Sequence, residues 1–216
     1  ATITLPALAT TTRTLDVLLE RSTRLGQECA PLRNDTRVRV HHGSGHWAAR
    51  LVLVEGKTLA PGAMQLAQLR LEQPACVWPG DRIVIRNWPE SATLAGGRVL
   101  DAQGNRQGLR SAAHKLFLQT RAEAPENAEA WIRSQLVRDG IAQRDALLCP
   151  STFSTAQIDS AATSLVNAKA ALAAGDWLAD ESRWQQAREA MANAVNVEHR
   201  AHPERPGLTI ELLRPL

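Results

Sequence analysis

Four side chains able to handle a proton, a metal ion or an acyl group fall within the stretch HHGSGHW, residues 41–47: His41, His42, Ser44 and His46. On an extended strand, neighbouring side chains face opposite sides, so His41 and His42 cannot aim at one ion unless the chain bends there. His46, beyond the Gly43-Ser44-Gly45 turn, can approach either. Zinc asks for three or four ligands, and no Cys, Asp or Glu stands close in sequence to complete the set, so no metal site is expected. A serine nucleophile needs a strained elbow and a carboxylate to orient its base; Ser44 has neither beside it, and no catalytic residue is assigned. Glycine supplies the positive φ of a hairpin tip, and a loop tip is the expectation for this stretch. A hydrolase built on the three histidines would require a carboxylate or metal within reach of their rings.

Other chemistry is sparse. The chain has no G-x-x-x-x-G-K-S/T loop and no G-x-G-x-x-G, so nothing is expected to cradle a nucleotide phosphate. Trp131, Trp177 and Trp184 fall on apolar helix or hairpin positions and are expected in the core. Trp47 and Trp88 sit at strand ends beside Gly, Pro or Asn, where a half-exposed ring either stacks on a base or packs against its own strand. Cys29, Cys76 and Cys149 are far apart and form no CxxC pair, which fits a reducing, cytoplasmic setting. No apolar run approaches the roughly 18 residues that cross a bilayer, so no membrane contact is expected.

Two kinds of element must position these groups. From residue 12 to about 102, apolar residues recur at every second position in short runs bounded by Gly, Pro and Asp, as half-buried antiparallel strands do. Leu15, Val17 and Leu19 share one face; Val38 and Val40 oppose Arg37, Arg39 and His41; Ile83 and Ile85 oppose Arg82 and Arg86. Six such runs predict a small barrel or sandwich. Ala95, Gly96 and Gly97 break the last run, marking a bulge or a close backbone approach.

After residue 108 the period becomes helical. Residues 125–140 place Trp131, Ile132 and Leu136 on one stripe, with Pro125 in the first turn and Gly140 as the stop. Residues 141–148 predict a short helix. Ser154 and Gln157 form a capping box ahead of Ile158, Ala161, Ala162 and Leu165. Two extended pieces around Gly175 and Asp176 form a hairpin, so the order suggests a winged helix. A helix follows from about residue 182 to 202, and the chain closes with what reads as the start of another, implying a fragment cut at both ends.

The charge is modest. Residues 1–107 carry thirteen Lys/Arg against nine Asp/Glu, and residues 108–216 carry twelve against thirteen. A front-half arginine excess permits contact with a polyanion such as RNA. The helix over residues 154–169 offers one cation, Lys169, which suits packing or spacing better than groove reading.

Residues 49–101, with APGAMQLAQLRLE, VWPGDRIVIR and the closing GGRVLD, resemble the third domain of the bacterial selenocysteine-specific translation elongation factors. VRVHHGSG and HPERPGL are similar to that family too. The resemblance implies a six-stranded antiparallel β-barrel of the elongation factor domain III type over residues 1–105. It further implies a linker helix and first winged-helix domain over 106–184, and the truncated start of a second over 185–216. It implies a non-catalytic piece of a factor that delivers selenocysteinyl-tRNA to the ribosome at UGA, with no cofactor of its own. GTP and magnesium belong to a GTPase domain outside this chain, and the mRNA hairpin is met by later winged helices. In such factors the third domain meets the tRNA backbone through hairpin tips. The matching nucleic-acid-binding places are His42, Ser44 and His46 at one tip and Arg86, Asn87 and Trp88 at another. A competing reading makes the barrel a scaffold that docks against its own GTPase domain without significant RNA contact.

Overall fold

The alternation of the first half folds as it reads. In the computed structural model, which describes residues 8–24, 32–204, 207–209 and 211, Thr12–Arg21 forms β1, Leu32–Arg33 β2, Arg37–His42 β3, Gly45–Leu53 β4, Thr58–Leu59 β5, Met64–Ala75 β6, Arg82–Arg86 β7 and Thr93–Asp101 β8. Six of them close into a barrel in the order β1-β6-β4-β3-β7-β8, while β2 and β5 form a separate pair. Every pairing in the barrel is antiparallel.

The period of two decides what fills the interior. Leu15, Val17 and Leu19 of β1, Val38 and Val40 of β3, and Ile83 and Ile85 of β7 are all buried. Burial of side chains this size contributes about 1.5–3 kcal/mol each. A one-residue slip of β3 would exchange its valines for arginines, which fixes the register. Of the two glycines that interrupt β8, Gly97 lies so close to β1 that a Cβ would meet Leu18 O at 2.7 Å and Leu19 Cδ2 at 2.6 Å. Gly96 faces open space.

Beyond the barrel come α1 (Ala112–Glu123), α2 (Ala128–Asp139), β9 (Ile141–Gln143), α3 (Thr155–Asn167), β10 (Ala171–Ala174), β11 (Trp177–Asp180) and α4 (Glu181–Ala201). The three strands form one sheet in the order β10-β11-β9. Helix, strand, helix and a hairpin whose second strand returns to the first is the connectivity of a winged helix. The capping box at α3 has both arms, and Gly140 ends α2 with φ 80. No helix among the described residues is long and apolar enough to cross a membrane.

Three local expectations are corrected. Trp131 is buried as expected, but Trp177 and Trp184 are 43% and 46% exposed, outside the core. Residues 141–148 are β9 followed by a 3-10 turn at Arg144–Ala146, not a short helix. Ala142 pairs with Leu178, and the edge of β11 satisfies backbone groups that one isolated helical turn would leave open. Pro125 lies ahead of α2, whose cap is Asn127, with the side chain accepting from Ala130 N. The Pro125 carbonyl accepts from Arg98 Nη1 at 2.8 Å instead. The expected start of a further helix after residue 207 lies largely outside the described residues.

α1 is bonded to the barrel wall. Asp16, on β1 and fully buried, has His114 Nε2 2.9 Å from its Oδ2 and accepts from Gln68 Nε2 at 2.9 Å through Oδ1. Arg121, also buried, donates to Leu100 O at 2.7 Å and to Ser134 Oγ at 3.0 Å. Its guanidinium lies 4.2 Å from the Phe117 ring centre and 4.8 Å from that of Trp131. Burial lowers the Arg121 pKa to about 10, against the pull of Asp101. Burial pushes the Asp101 carboxyl up, with Arg138 and Arg121 opposing. Leu18 and Leu66, on the outside of the barrel, pack into the same core as Leu118, Trp131 and Ile132.

Candidate functional site

Because β3 buries Val38 and Val40, it must show Arg37, Arg39 and His41 to the outside. Strand register then carries the charge sideways. Arg37 stands opposite Arg50 on β4, Arg50 opposite Arg70 on β6, and Arg39 opposite Arg86 on β7. Four adjacent strands thus place five arginines on neighbouring outward positions. Like charges directly opposite one another are destabilising, so this face needs anions near it.

Three carboxylates of the chain answer part of that need. Glu72 takes Arg37 with two bonds, Nε to Oε1 at 2.9 Å and Nη2 to Oε2 at 3.1 Å. Asp35 Oδ2 lies 3.2 Å from Arg50 Nη1, and Glu90 Oε1 lies 3.5 Å from Arg39 Nε. The Arg37 and Arg50 side chains are 49% and 57% exposed, and exposed pairs contribute about 0–1 kcal/mol. Another anion can therefore replace these partners at little cost. Arg70 Nε donates to Gln68 Oε1 at 2.9 Å.

Trp88 organises the centre of the face. Its ring is 38% exposed, with Arg37 Cζ 3.7 Å and Arg39 Cζ 4.2 Å from the ring centre. Stacking holds a guanidinium in place while leaving its charge intact. The ring thus holds two arginines of its own chain while staying partly exposed.

The six residues marked in the sequence divide. The tip reads as expected: His41 pairs with His46 and His42 with Gly45 around Gly43-Ser44, with Gly43 at φ 54. His42 takes the inward register of Val38 and Val40, and its Nε2 lies 2.9 Å from Asp81 Oδ2, which also accepts from Trp78 N at 2.8 Å. It is thereby turned away from the exposed His46. Asn87 is committed to its own loop, with Oδ1 accepting from Ala92 N at 2.9 Å and Nδ2 donating to Ser91 Oγ at 2.8 Å. Arg86 and Trp88 belong to the arginine face. Trp47 packs against the barrel core, its ring over Gly45.

Arg37, Arg39, Arg50 and Arg70 were absent from that set although alternation predicts the outward pair on β3. Their gathering depends on which strands are neighbours. Glu90 had no local signal: the loop between β7 and β8 brings its Oε2 to 3.2 Å from His41 Nε2. A carboxylate therefore does reach the histidines, from far along the chain. Among the described residues no hydrogen bond joins Ser44 to any of the three imidazoles. On α3, Asp159 faces Arg144 at 3.4 Å, and Arg144 also donates to Thr163 Oγ1 at 3.0 Å, which leaves that helix surface without a row of free cations.

Residues 19–106 match the family model described as the selenocysteine-specific elongation factor, beta-barrel domain. The chain is 26% identical over 179 residues to the selenocysteine-specific elongation factor of Haemophilus influenzae, covering 83% of this chain and 28% of that protein. It is 34% identical over 76 residues to the one from Desulfomicrobium baculatum, covering 35% and 12%. It is 30% identical over 104 residues to the one from Escherichia coli K12, covering 48% and 16%. The chain thus spans less than a third of the length of each of these curated relatives.

Proposed function

We propose that this barrel, which matches the selenocysteine-specific elongation factor beta-barrel model over residues 19–106, grips the sugar-phosphate backbone of selenocysteinyl-tRNA with its arginine face. The observation that carries this reading is the run of arginines set opposite one another over β6, β4, β3 and β7. Carboxylates of the chain meet this charge only in part, and a phosphate chain supplies charges in series. Such contacts position an RNA without reading its sequence.

In this reading residues 1–105 hold the tRNA, residues 106–184 act as a spacer, and residues 185–216 open a further winged helix toward mRNA-binding modules. Arg86, His46 and Ser44 lie at the rim of the RNA contact, with Asn87 shaping the loop and His42 bracing the hairpin. GTP and magnesium chemistry, docking on the ribosome and delivery at UGA belong to the intact factor, which works in the cytoplasm; the barrel contributes binding alone. The network around Asp16 and Arg121 supports the spacer role, because it gives α1 a fixed seat on the barrel.

Filter binding of the chain to a selenocysteine tRNA transcript across a salt series tests this. Affinity should fall steeply with salt, and Arg39→Ala with Arg86→Ala should weaken it about tenfold or more and lower the salt slope by about two. Unchanged binding by that double variant, or binding of the native chain that ignores salt, overturns the reading. Salt-resistant association with a GTPase domain of the family would then favour the docking alternative.

A further inference from the structure

We propose that His41, His46 and Glu90 form a divalent transition-metal site on the outside of the barrel, with zinc the best-matched ion. The inference does not depend on whether this face meets RNA.

The hairpin supplies two of the ligands. His41 and His46 are direct cross-strand partners, one position back from the two-residue tip. Opposed residues of an antiparallel pair keep their Cβ atoms about 4.5–5.5 Å apart, so the short turn brings the two imidazoles together without further support. Their ring centres are 5.5 Å apart, tilted by 38°.

Glu90 supplies the third. It adopts φ 59, a backbone conformation that side-chain-bearing residues seldom take. The loop enforces it: Glu90 N donates to Asn87 O at 3.0 Å, and the Asn87 side chain braces Ser91 and Ala92. One ligand atom from each of the three residues lies within 4.8 Å of the others. Donors around a tetrahedral zinc stand about 3.3 Å apart, given bonds of about 2.0–2.1 Å, so a side-chain rotation of the exposed His46 accounts for the closure.

The chemistry of the set is selective. Two imidazoles and one carboxylate favour zinc, nickel or copper over magnesium or calcium. His41 Nε2 is shielded from solvent and lacks a hydrogen-bond partner, although the Glu90 carboxylate is at ion-pair distance. Arg39 engages the other carboxylate oxygen, Oε1, at 3.5 Å. That ion pair lies on the far oxygen and leaves Oε2 for the ion. The nearby guanidinium charge keeps affinity below that of a closed structural site. Three protein ligands leave a fourth position for water.

Titration of the metal-stripped chain with Co2+, followed by displacement with Zn2+, provides the test. One equivalent should bind with a visible ligand-field band and without a thiolate charge-transfer band. His46→Ala and Glu90→Gln should each weaken binding by about tenfold or more, with the barrel's far-UV circular dichroism unchanged, while His202→Ala leaves binding as it was. Absence of saturable binding, a thiolate band assigning the ion to cysteine, or native-like affinity in both cluster variants overturns the proposal.

Discussion

His114 Nε2 lies 2.9 Å from Asp16 Oδ2, bonding the first helix of the C-terminal half to a carboxylate buried in the barrel wall. His114→Ala would remove one of the two side chains that, among the described residues, bond that carboxylate, leaving Gln68. Losing one hydrogen-bond partner of a buried carboxylate costs about 1–3 kcal/mol, so the urea midpoint should fall. Gly104→Ala should injure the same site, because its Cβ would stand 2.7 Å from Asp16 Oδ2.

Arg121 closes the same junction from the other end. Arg121→Ala should destabilise by about 2–4 kcal/mol, through two lost buried hydrogen bonds and the packing of its stem. Arg121→Lys should recover little, because an ammonium cannot bond Leu100 O and Ser134 Oγ together while lying between Phe117 and Trp131. Loss of coincidence between barrel and helix unfolding probes would mark the junction as the part that fails.

Asp101 makes stability depend on pH. Burial raises its pKa in the fold above the ordinary 3.8, so the folded chain binds the proton more tightly than the unfolded one. Its contribution is therefore complete below pH 3.8 and declines as pH rises through the raised value. The stability of the native chain minus that of Asp101→Asn should fall with pH across this window, at up to about 1.4 kcal/mol per pH unit. A difference that rises with pH would reverse the assignment.

The paired glycines of β8 should respond unequally. Gly97→Ala drives a Cβ into the Leu18 carbonyl, a backbone atom with nowhere to move, and should destabilise the barrel by about 1–3 kcal/mol. Gly96→Ala meets open space and should be close to neutral. Thermal denaturation of the two variants compares them directly.

Much of the fold was legible because its causes are local. Alternation of Val38 and Val40 with Arg37 and Arg39 requires a strand with one wet face, and the Ser154 and Gln157 spacing writes a helix start. Residues 141–148 misled for the opposite reason: three residues pair with β11 across more than thirty positions of sequence, and no local preference encodes that edge.

For the candidate site, the sequence by itself determined that Arg37, Arg39 and His41 of β3 must face outward, since the valines between them take the interior. Tertiary structure decided what those groups meet. Pairing with strands beyond the hairpin set Arg39 beside Arg86 and Arg50 beside Arg70, and a distant loop laid Trp88 on the arginines and Glu90 beside His41. Side-chain alternation is a property of one strand, whereas the partners on either side exist only once six strands have closed.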